Sequence, residues 1–356
     1  MSENTTTCPD APSCENDICK TANYIWMIIS PVLLAFGLIG GLLISIVLIR
    51  IRFQTTPLLF FLFTLAITDM VILCVGLLRL WVLETWQIDI RDLSNAGCKL
   101  LHFFVYFSMQ FSSWILVCVT VERFIKCRYM TYTSMVTVKK CMTSLLVIFV
   151  VLGSLNSHYF WTHGFVLSKY NTTVCGVLPE YETFDEWYIK IDFFILSVIP
   201  FCIMASLDVM ILRSLKKART FRKTSIATSH MYNKLKTVDK RLTKMLLITN
   251  SYFLLSTLPV SVLFILTIYI YRQQEPVNSI FSLVGSIVYT LQYSNYAVSY
   301  IFYTVYDKRI RRQLKQIIRA TKPRFRSLGS QYTMDSCSTE IHTVSSTVSI
   351  KSVSQK

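Results

Sequence analysis

The sequence predicts an all-α membrane protein, a seven-transmembrane helix bundle followed by a short amphipathic helix. Hydrophobic residues make up 53% of the 356 residues and charged residues only 16%, against roughly 25% charged in soluble domains. Seven apolar stretches are long enough to cross the ~30 Å core of a bilayer as helices. They are Tyr24–Ile49, Pro57–Leu83, Leu100–Val121, Cys141–Thr162, Phe193–Leu212, Met245–Tyr271 and Val277–Tyr306. Barrel strands would instead alternate with a period of two.

The distribution of positive charge predicts how the chain is oriented. The formal net charge is +16, and most Lys and Arg fall in alternate connections between the spans and in the tail. This positive-inside bias places the N-terminus outside and the tail inside, as an odd number of crossings requires. We therefore expect a multi-pass plasma-membrane protein with lipid as a partner, and no nucleic-acid partner despite the high net charge.

The chain divides into four predicted regions. They are an extracellular glycosylated arm (residues 1–23), the seven-helix bundle (24–306), a membrane-surface helix (307–320) and a disordered Ser/Thr-rich cytoplasmic tail (321–356). Asn4 and Asn171 begin acceptor motifs for N-glycosylation, and both lie on segments placed outside by the charge pattern. The arm also contains three cysteines, whose pairing stays open because their number is odd. They are Cys8, Cys14 and Cys19.

The first two spans carry glycines and one buried acid. Gly37, Gly40 and Gly41 in the first span indicate close packing through small residues. Pro57 suits the first residue of the second helix. Asp69 lies near the middle of that helix, where an acid costs a few kcal/mol unless it has a partner. It is either a structural hydrogen-bonding hub or a polar or ion site that changes state.

The third span connects both faces of the membrane. Its apolar run starts near Leu100 and ends at Glu122 and Arg123, where the membrane should end. Arg123 alone would be an interfacial anchor. At the other end lies Cys98, and Cys175 is the single cysteine of the next outer loop. We expect a disulfide between them that fastens the loop over the mouth of the bundle.

The last three spans contain prolines and polar side chains. Pro200 and Pro259 lie inside the fifth and sixth spans, where a proline removes a hydrogen bond and kinks the helix. The seventh span is unusually polar from Gln292 to Tyr303, as is typical of a helix that lines a network or water. Beyond it, residues 307–318 place isoleucine and leucine on one face and basic residues on the other, which predicts a helix on the membrane surface.

Together these features resemble the rhodopsin-like G-protein-coupled receptors over roughly residues 24–320. The segments that carry the resemblance are Leu65-Ala66-Ile67-Thr68-Asp69, Cys98 with Cys175, Glu122-Arg123-Phe124, Pro200, Leu258-Pro259 and the junction at Tyr303. Within that family, residues 89–123 look most like the invertebrate neuropeptide receptors. The resemblance implies a receptor that binds an extracellular ligand and activates heterotrimeric G proteins by outward movement of the sixth helix, with arrestin and a receptor kinase acting on the tail.

The resemblance also implies two groups of working residues inside the bundle. At the inner end, Arg123 would be held by Glu122 and Asp239 in the inactive state and released on activation, with Tyr303 in the same coupling group. In the middle, four positions match those that enclose a sodium ion in many relatives. They are Asp69, Ser112, Asn295 and Ser299. This ion would be an allosteric modulator, and no other cofactor is expected.

Several positions depart from the family pattern. Gly41 and Tyr300 stand where relatives have an asparagine and a proline, Thr257 where a tryptophan is usual, and Asp208 where a tyrosine or asparagine is usual. These departures leave room for a non-signalling decoy or scavenger of the same fold. A transporter or channel is a remote alternative, since paired charges along a path and internal repeats are both lacking. An enzyme is not expected, because Asp69 has no nucleophile or metal partner set.

The outer mouth of the bundle predicts a peptide ligand. Val105 replaces the aspartate of amine receptors, and Tyr293 replaces the lysine that binds retinal. The predicted ligand-binding residues are Arg79, Trp81, His102, Tyr106, Met109, Trp187, Tyr271 and Tyr293. His102 is either a contact or a satisfied structural group. The outer segments are acidic, which attracts cations, so we expect a cationic, amidated neuropeptide.

Overall fold

The computed structural model describes residues 17–128, 136–167, 172–224, 230–272 and 279–321. Within these ranges, the side chains of residues 19, 215–224, 230–242, 264, 267–272, 279, 318, 320 and 321 are not described. Several predicted features therefore lie outside the described residues or side chains. They are the glycosylation sites Asn4 and Asn171, the pairing of Cys8, Cys14 and Cys19, the side chains of Asp239 and Tyr271, and the tail from residue 322.

The described chain is a bundle of long helices, which confirms the predicted fold class. The α-helices are α1 (Asp17–Arg50), α2 (Pro57–Ile72), α3 (Leu78–Trp86), α4 (Asn95–Arg128), α5 (Val138–Asn156), α6 (Tyr159–Thr162), α7 (Glu182–Phe193), α8 (Ile199–Thr224), α9 (His230–Arg272), α10 (Ser279–Tyr306) and α11 (Lys308–Thr321). Six of the described helical segments are long and apolar enough to cross a membrane. Helix α10, at 28 residues, is also long enough to span and packs between α1 and α9. The seven spans are α1, α2–α3, α4, α5, α7–α8, α9 and α10.

Two of the spans are interrupted by π-helical turns. Leu73–Leu77 joins α2 to α3, and Phe194–Val198 joins α7 to α8. The second turn ends two residues before Pro200, which is the second residue of α8 and lies inside the continuous fifth span, as expected. The proline's missing N–H therefore falls beside a turn whose hydrogen bonds are already shifted. Pro259 likewise lies inside α9, as expected.

Several helix boundaries differ from the predicted ones. Helix α1 starts at Asp17, so the last part of the predicted arm is helical. Helix α5 ends at Asn156, before the end predicted from hydropathy. The fifth span extends beyond the predicted Phe193–Leu212 at both ends, because its polar ends continue the helix on either side of the apolar part. Hydropathy detects the part of a helix inside lipid, and a helix does not have to stop there.

A β-hairpin that the sequence analysis did not predict covers one end of the bundle. Strands β1 (His163–Leu167) and β2 (Thr173–Val177) pair antiparallel, with Phe165 opposite Cys175. The predicted disulfide between Cys98 and Cys175 is confirmed, with 5.5 Å between the two Cα atoms. It attaches β2 to the first turn of α4. We call this end of the bundle the Cys98 end and the opposite end the Arg123 end.

Apolar side chains lie both between the helices and on the outside of the bundle. One buried cluster, including Leu48, Leu62 and Ile115, joins α1, α2 and α4 toward the Arg123 end. On the outer face of α5, Leu146 and Val150 are 62% and 56% exposed. Such an apolar outer surface is costly in water and suits contact with lipid.

The glycines of α1 allow this helix to approach its neighbours closely. A Cβ atom on Gly40 would lie 2.0 Å from the ring of Tyr300, and one on Gly37 would lie 3.0 Å from the Cα atom of Ala297. Both neighbours belong to α10. The structure thus confirms close packing through small residues, and it shows that the bulky Tyr300 occupies the space left by Gly40.

Helix α11 starts directly after α10 and is amphipathic, as predicted. The carboxylate of Asp307 accepts a hydrogen bond from the backbone N–H of Arg309 at 2.8 Å and so caps the helix. Ile310 is fully buried, and Leu314 and Ile317 pack against the core of the bundle. Lys308 and Arg312 lie on the other side. Its position on a membrane surface stays a prediction.

Candidate functional site

A cavity of about 480 Å³ opens at the Cys98 end between α3, α4, α7, α9 and α10. Five of the predicted ligand-binding residues line it: Arg79, His102, Tyr106, Met109 and Tyr293. Its volume lies within the range of small-ligand sites and suits one end of a peptide. The cavity also takes in residues that the sequence analysis missed. They are Glu84, Arg91, Asp192, Tyr289 and Gln292.

Two predicted ligand-binding residues do not line this cavity. Trp81 packs edge-on against Trp86, with 5.2 Å between ring centroids. Trp187 is 62% exposed, and the ammonium group of Lys190 lies 4.3 Å from the centroid of its ring. The expectation that aromatic residues near the mouth face inward is therefore corrected for both, because their side chains are used in contacts outside the cavity.

Two arginines of the cavity wall are held by one carboxylate. Asp89 accepts hydrogen bonds from Arg79 Nε at 2.9 Å and Nη2 at 2.6 Å. It also accepts from Arg91 Nη2 at 2.8 Å and from the backbone N–H of Arg91 at 3.0 Å. Burial alone would raise the pKa of Asp89, but these bonds outweigh burial and hold its pKa well below the usual range. The cluster of Arg79, Asp89 and Arg91 carries a net charge of +1.

The predicted acidic rim is thus partly occupied by internal contacts. Asp89 is shared between two arginines, and Asp92 accepts a hydrogen bond from the backbone N–H of Cys175 at 2.7 Å. Both acids of the first loop therefore hold the architecture of the mouth. Attraction of a cationic ligand must depend on other acids, of which Glu84 and Asp192 line the cavity.

The contacts of His102 define which ring nitrogen carries the proton. Arg91 Nη1 lies 2.9 Å from Nε2 of His102, and since arginine can only donate, Nε2 accepts. Nδ1 then donates to the backbone carbonyl of Cys98 at 3.0 Å. His102 is therefore a satisfied structural group that also forms part of the cavity wall.

The ring of His102 lies 4.5 Å from that of His163. Burial, together with the charges of His158 and Arg91, lowers the pKa of His163 to about 4.

A hydrogen-bonded chain of buried polar side chains ends at the cavity. Asn156 Nδ2 donates to Gln110 Oε1 at 2.7 Å, and Gln110 Nε2 donates to Asp192 Oδ1 at 2.5 Å. Gln110 and Asn156 are fully buried, and Asp192 is 8% exposed. Asp192 lies one residue before the predicted fifth span, which is why hydropathy did not place it inside the bundle. Its proximity to that span was the available signal.

The predicted polar network in the middle of the bundle is partly brought together. Asp69 accepts a hydrogen bond from Ser112 at 3.1 Å and one from Ser299 at 2.6 Å. Asn295 is buried on α10, one turn before Ser299. A Cβ on Gly41 of α1 would lie 2.6 Å from the side chain of Met70 of α2, so an apolar side chain fills the space beside Gly41.

These residues offer a donor set that fits a hard cation such as sodium. A carboxylate and two hydroxyl groups meet in a buried place, and hard cations prefer oxygen ligands. Both carboxylate oxygens of Asp69 already accept from serine hydroxyls, so a bound ion would coordinate oxygens that now contact each other. Asp69 therefore serves at least as the predicted structural hydrogen-bonding hub.

At the Arg123 end, a buried glutamate contacts two basic side chains. Glu122 Oε2 lies 3.1 Å from Arg123 Nε, and Glu122 also forms an ion pair with Lys126. Glu122 and Arg123 are 2% and 4% exposed. The latch residue Tyr303 is fully buried, and the position of the Asp239 side chain is not described. The contact between Glu122 and Arg123 is thus observed, whereas the latch itself stays a proposal.

A second polar contact joins three helices near this end. Asn250 of α9 donates to Thr120 of α4 at 2.9 Å and contacts Asp208 of α8 at 3.2 and 3.3 Å. Asp208 is the acid that departs from the family pattern. Sequence reasoning noted the departure but not its partner, since nothing in the sequence pairs residues 42 positions apart. Thr257, another departure, is fully buried in α9.

Comparison with known proteins agrees with this architecture. A family model described as "7 transmembrane receptor (rhodopsin family)" matches residues 40–303. Galanin receptor 2b of Danio rerio is 25% identical over 310 residues, which cover 83% of this chain and 75% of that protein. Galanin receptor 2a of the same species is 23% identical over 306 residues, which cover 84% and 79%. The chain therefore belongs to the rhodopsin family of seven-transmembrane receptors, and it is a multi-pass membrane protein.

Proposed function

We propose that the protein is a cell-surface receptor for a cationic, amidated neuropeptide and that it activates heterotrimeric G proteins. The observation that carries this proposal is the cavity at the Cys98 end, which has aromatic, apolar and charged walls and a volume of about 480 Å³. A wall of this kind suits the end of a peptide. The two zebrafish relatives bear the name of a peptide, galanin, which supports a peptide rather than an amine or a retinoid.

The proposed orientation places the cavity outside the cell. The Cys98 end has the disulfide, which persists in oxidising surroundings, and the Arg123 end has the basic ends of α4 and α11. Basic segments favour the cytoplasmic side of the plasma membrane. A peptide would then enter from outside, and the G protein would dock at the Arg123 end. Glycosylation at Asn4 and Asn171 is proposed on the same basis.

Coupling would depend on release of Arg123 from acids. Glu122 and Arg123 form a buried ion pair in the last two turns of α4, and a buried charge favours a state in which it is paired. We place Asp239 of α9 as a second partner in the inactive state. Outward movement of the sixth span would break that contact and open a surface for the G protein, with Tyr303 nearby in the coupling group. Arrestin and a receptor kinase would act at the Ser/Thr-rich tail.

The test is G-protein activation in cells that express the intact chain, measured against a library of amidated peptides that includes galanin. At least one peptide should stimulate the receptor. Asp239→Ala should raise the ligand-free signal at equal surface expression, whereas Glu180→Ala, an exposed acid at the Cys98 end, should not. Silence toward all peptides, combined with an unchanged baseline in Asp239→Ala, would contradict the proposal.

A non-signalling decoy of the same fold is the alternative, and two observations favour it. Tyr300 fills the space beside Gly40, where relatives have a proline in the seventh span. Thr257 is small and buried where relatives have a tryptophan. In the family, that tryptophan rotates on activation and that proline bends the seventh helix. A decoy would bind a peptide with no response in the activation assay, and reversion of Thr257 and Tyr300 to the family residues would then restore coupling.

A further inference from the structure

Asp192 is a buried acid in the wall of the cavity, and no described basic side chain is paired with its carboxylate. Its side chain is 8% exposed, and a carboxylate in a membrane-spanning helix is costly unless it has a partner. Among the side chains that the structure describes, no Lys, Arg or His forms a salt bridge with Asp192. The two arginines of the cavity wall, Arg79 and Arg91, are both held by Asp89, and Lys190 lies over the ring of Trp187.

The one hydrogen bond described for Asp192 has a defined direction. The carbonyl oxygen of Gln110 accepts from Asn156, so the amide nitrogen of Gln110 must face Asp192 and donate to Oδ1. Asn156 is itself held by its own helix, because Nδ2 also donates to the carbonyl of Leu152 at 2.8 Å. The network therefore presents a donor to the carboxylate, which suits an anionic acceptor. It also holds the carboxylate in one place.

We infer that Asp192 is the subsite that binds a positively charged group of the ligand, a guanidinium or an ammonium. The cavity brings a ligand against this carboxylate, and a cation bound there would supply the missing charge in a place with little water. Asp89, which the sequence analysis counted as part of an acidic rim, cannot do this because its oxygens are occupied by Arg79 and Arg91. The inference rests on the proposed peptide function and assigns one contact within it.

A binding experiment with small probes tests this subsite without any need for signalling. The full-length receptor would be purified in lipid nanodiscs, and dissociation constants would be measured by ligand-observed NMR for N-acetyl-argininamide and for N-acetyl-citrullinamide. The second probe has nearly the same shape but no charge. The unmodified receptor should bind the arginine probe at least about 30-fold more tightly, as expected for a buried charge pair.

Three variants separate the charge of Asp192 from its structural role. Asp192→Asn keeps an acceptor for Gln110 and should lose the preference for the arginine probe, whereas Asp192→Glu should retain most of it. Asp208→Asn removes a carboxylate outside the cavity and should leave the preference unchanged. Equal binding of the two probes by the unmodified receptor would overturn the inference, and so would a preference that survives in Asp192→Asn.

The outcome of the probe experiment can be distinguished from the outcome of the G-protein activation assay. A charge preference lost in Asp192→Asn, together with no G-protein response to any peptide, would support the subsite and count against signalling. A peptide response together with equal binding of the charged and neutral probes would support the receptor function and overturn the role of Asp192.

Discussion

Replacement of Asp89 by asparagine should destabilise the Cys98 end of the bundle. The change removes the charge that holds Arg79 and Arg91, and it removes one of two acceptor oxygens. Loss of one partner from a buried ion pair costs about 3–5 kcal/mol. The three side chains here are 10–23% exposed, so we take a smaller loss, about 2–3 kcal/mol. For a large domain this corresponds to a fall of the melting temperature by about 5 °C.

The assay is thermal unfolding of the purified receptor, followed by intrinsic tryptophan fluorescence at pH 7.5. The matched control is Asp17→Asn, which disrupts an ion pair with Lys20 that is 3.9 Å long and in which the Asp17 side chain is fully exposed. An exposed pair contributes little, so the control should melt with the unmodified protein. The reasoning is refuted if Asp89→Asn shifts the melting temperature no more than Asp17→Asn does.

Three further predictions concern other parts of the bundle. Gly40→Leu should abolish surface expression, because the new Cβ would overlap the ring of Tyr300. Adding Tyr300→Ala to Gly40→Leu should restore expression. The control Gly153→Leu, whose Cβ would have its nearest neighbour at 3.9 Å, should express normally. Asp69→Asn should remove the difference in melting temperature between sodium and N-methylglucamine buffers; no such difference in the unmodified receptor would exclude sodium at Asp69. Because the pKa of His163 is lowered to about 4, the folded state binds fewer protons than the unfolded state between pH about 6.5 and 4. Stability should therefore fall as pH drops through this window, and a His163→Gln receptor with an equally steep fall would contradict that assignment.

The parts of the fold that depend on hydropathy could be predicted from the sequence. A membrane requires long apolar helices, so the composition of the chain limits the choice of architecture before any contact is known. Two further features could be predicted from the resemblance to the rhodopsin-like receptors, because that family places the residues concerned at fixed positions. They are the disulfide between Cys98 and Cys175 and the hydrogen bonds of Asp69 with Ser112 and Ser299.

The contacts that decide the chemistry of the cavity could not be predicted in this way. Arg79 and Asp89 are ten residues apart on different elements, and their pairing depends on how the first loop folds back over α3. The hairpin was missed because both strands are short and their connection carries no tight-turn signature. Asp192 was missed because a polar residue at the edge of an apolar run gives no sign of whether it faces water, lipid or a cavity.

The most direct test of the account asks whether a ligand in the cavity controls the Arg123 end. Gly285 lines the cavity, and a Cβ there would have its nearest neighbour, a side-chain carbon of Leu263, at 3.8 Å, so Gly285→Phe should fill the space without disturbing the coupling residues. Gly153→Phe, outside the cavity, is the matched control.

The measurement is peptide-stimulated nucleotide exchange on a heterotrimeric G protein by receptors with equal surface expression. The account predicts that Gly285→Phe loses the peptide response and that the double variant Gly285→Phe with Asp239→Ala keeps the raised ligand-free baseline. Gly153→Phe should respond as the unmodified receptor does. A full peptide response from Gly285→Phe would show that the ligand acts elsewhere and would contradict the account.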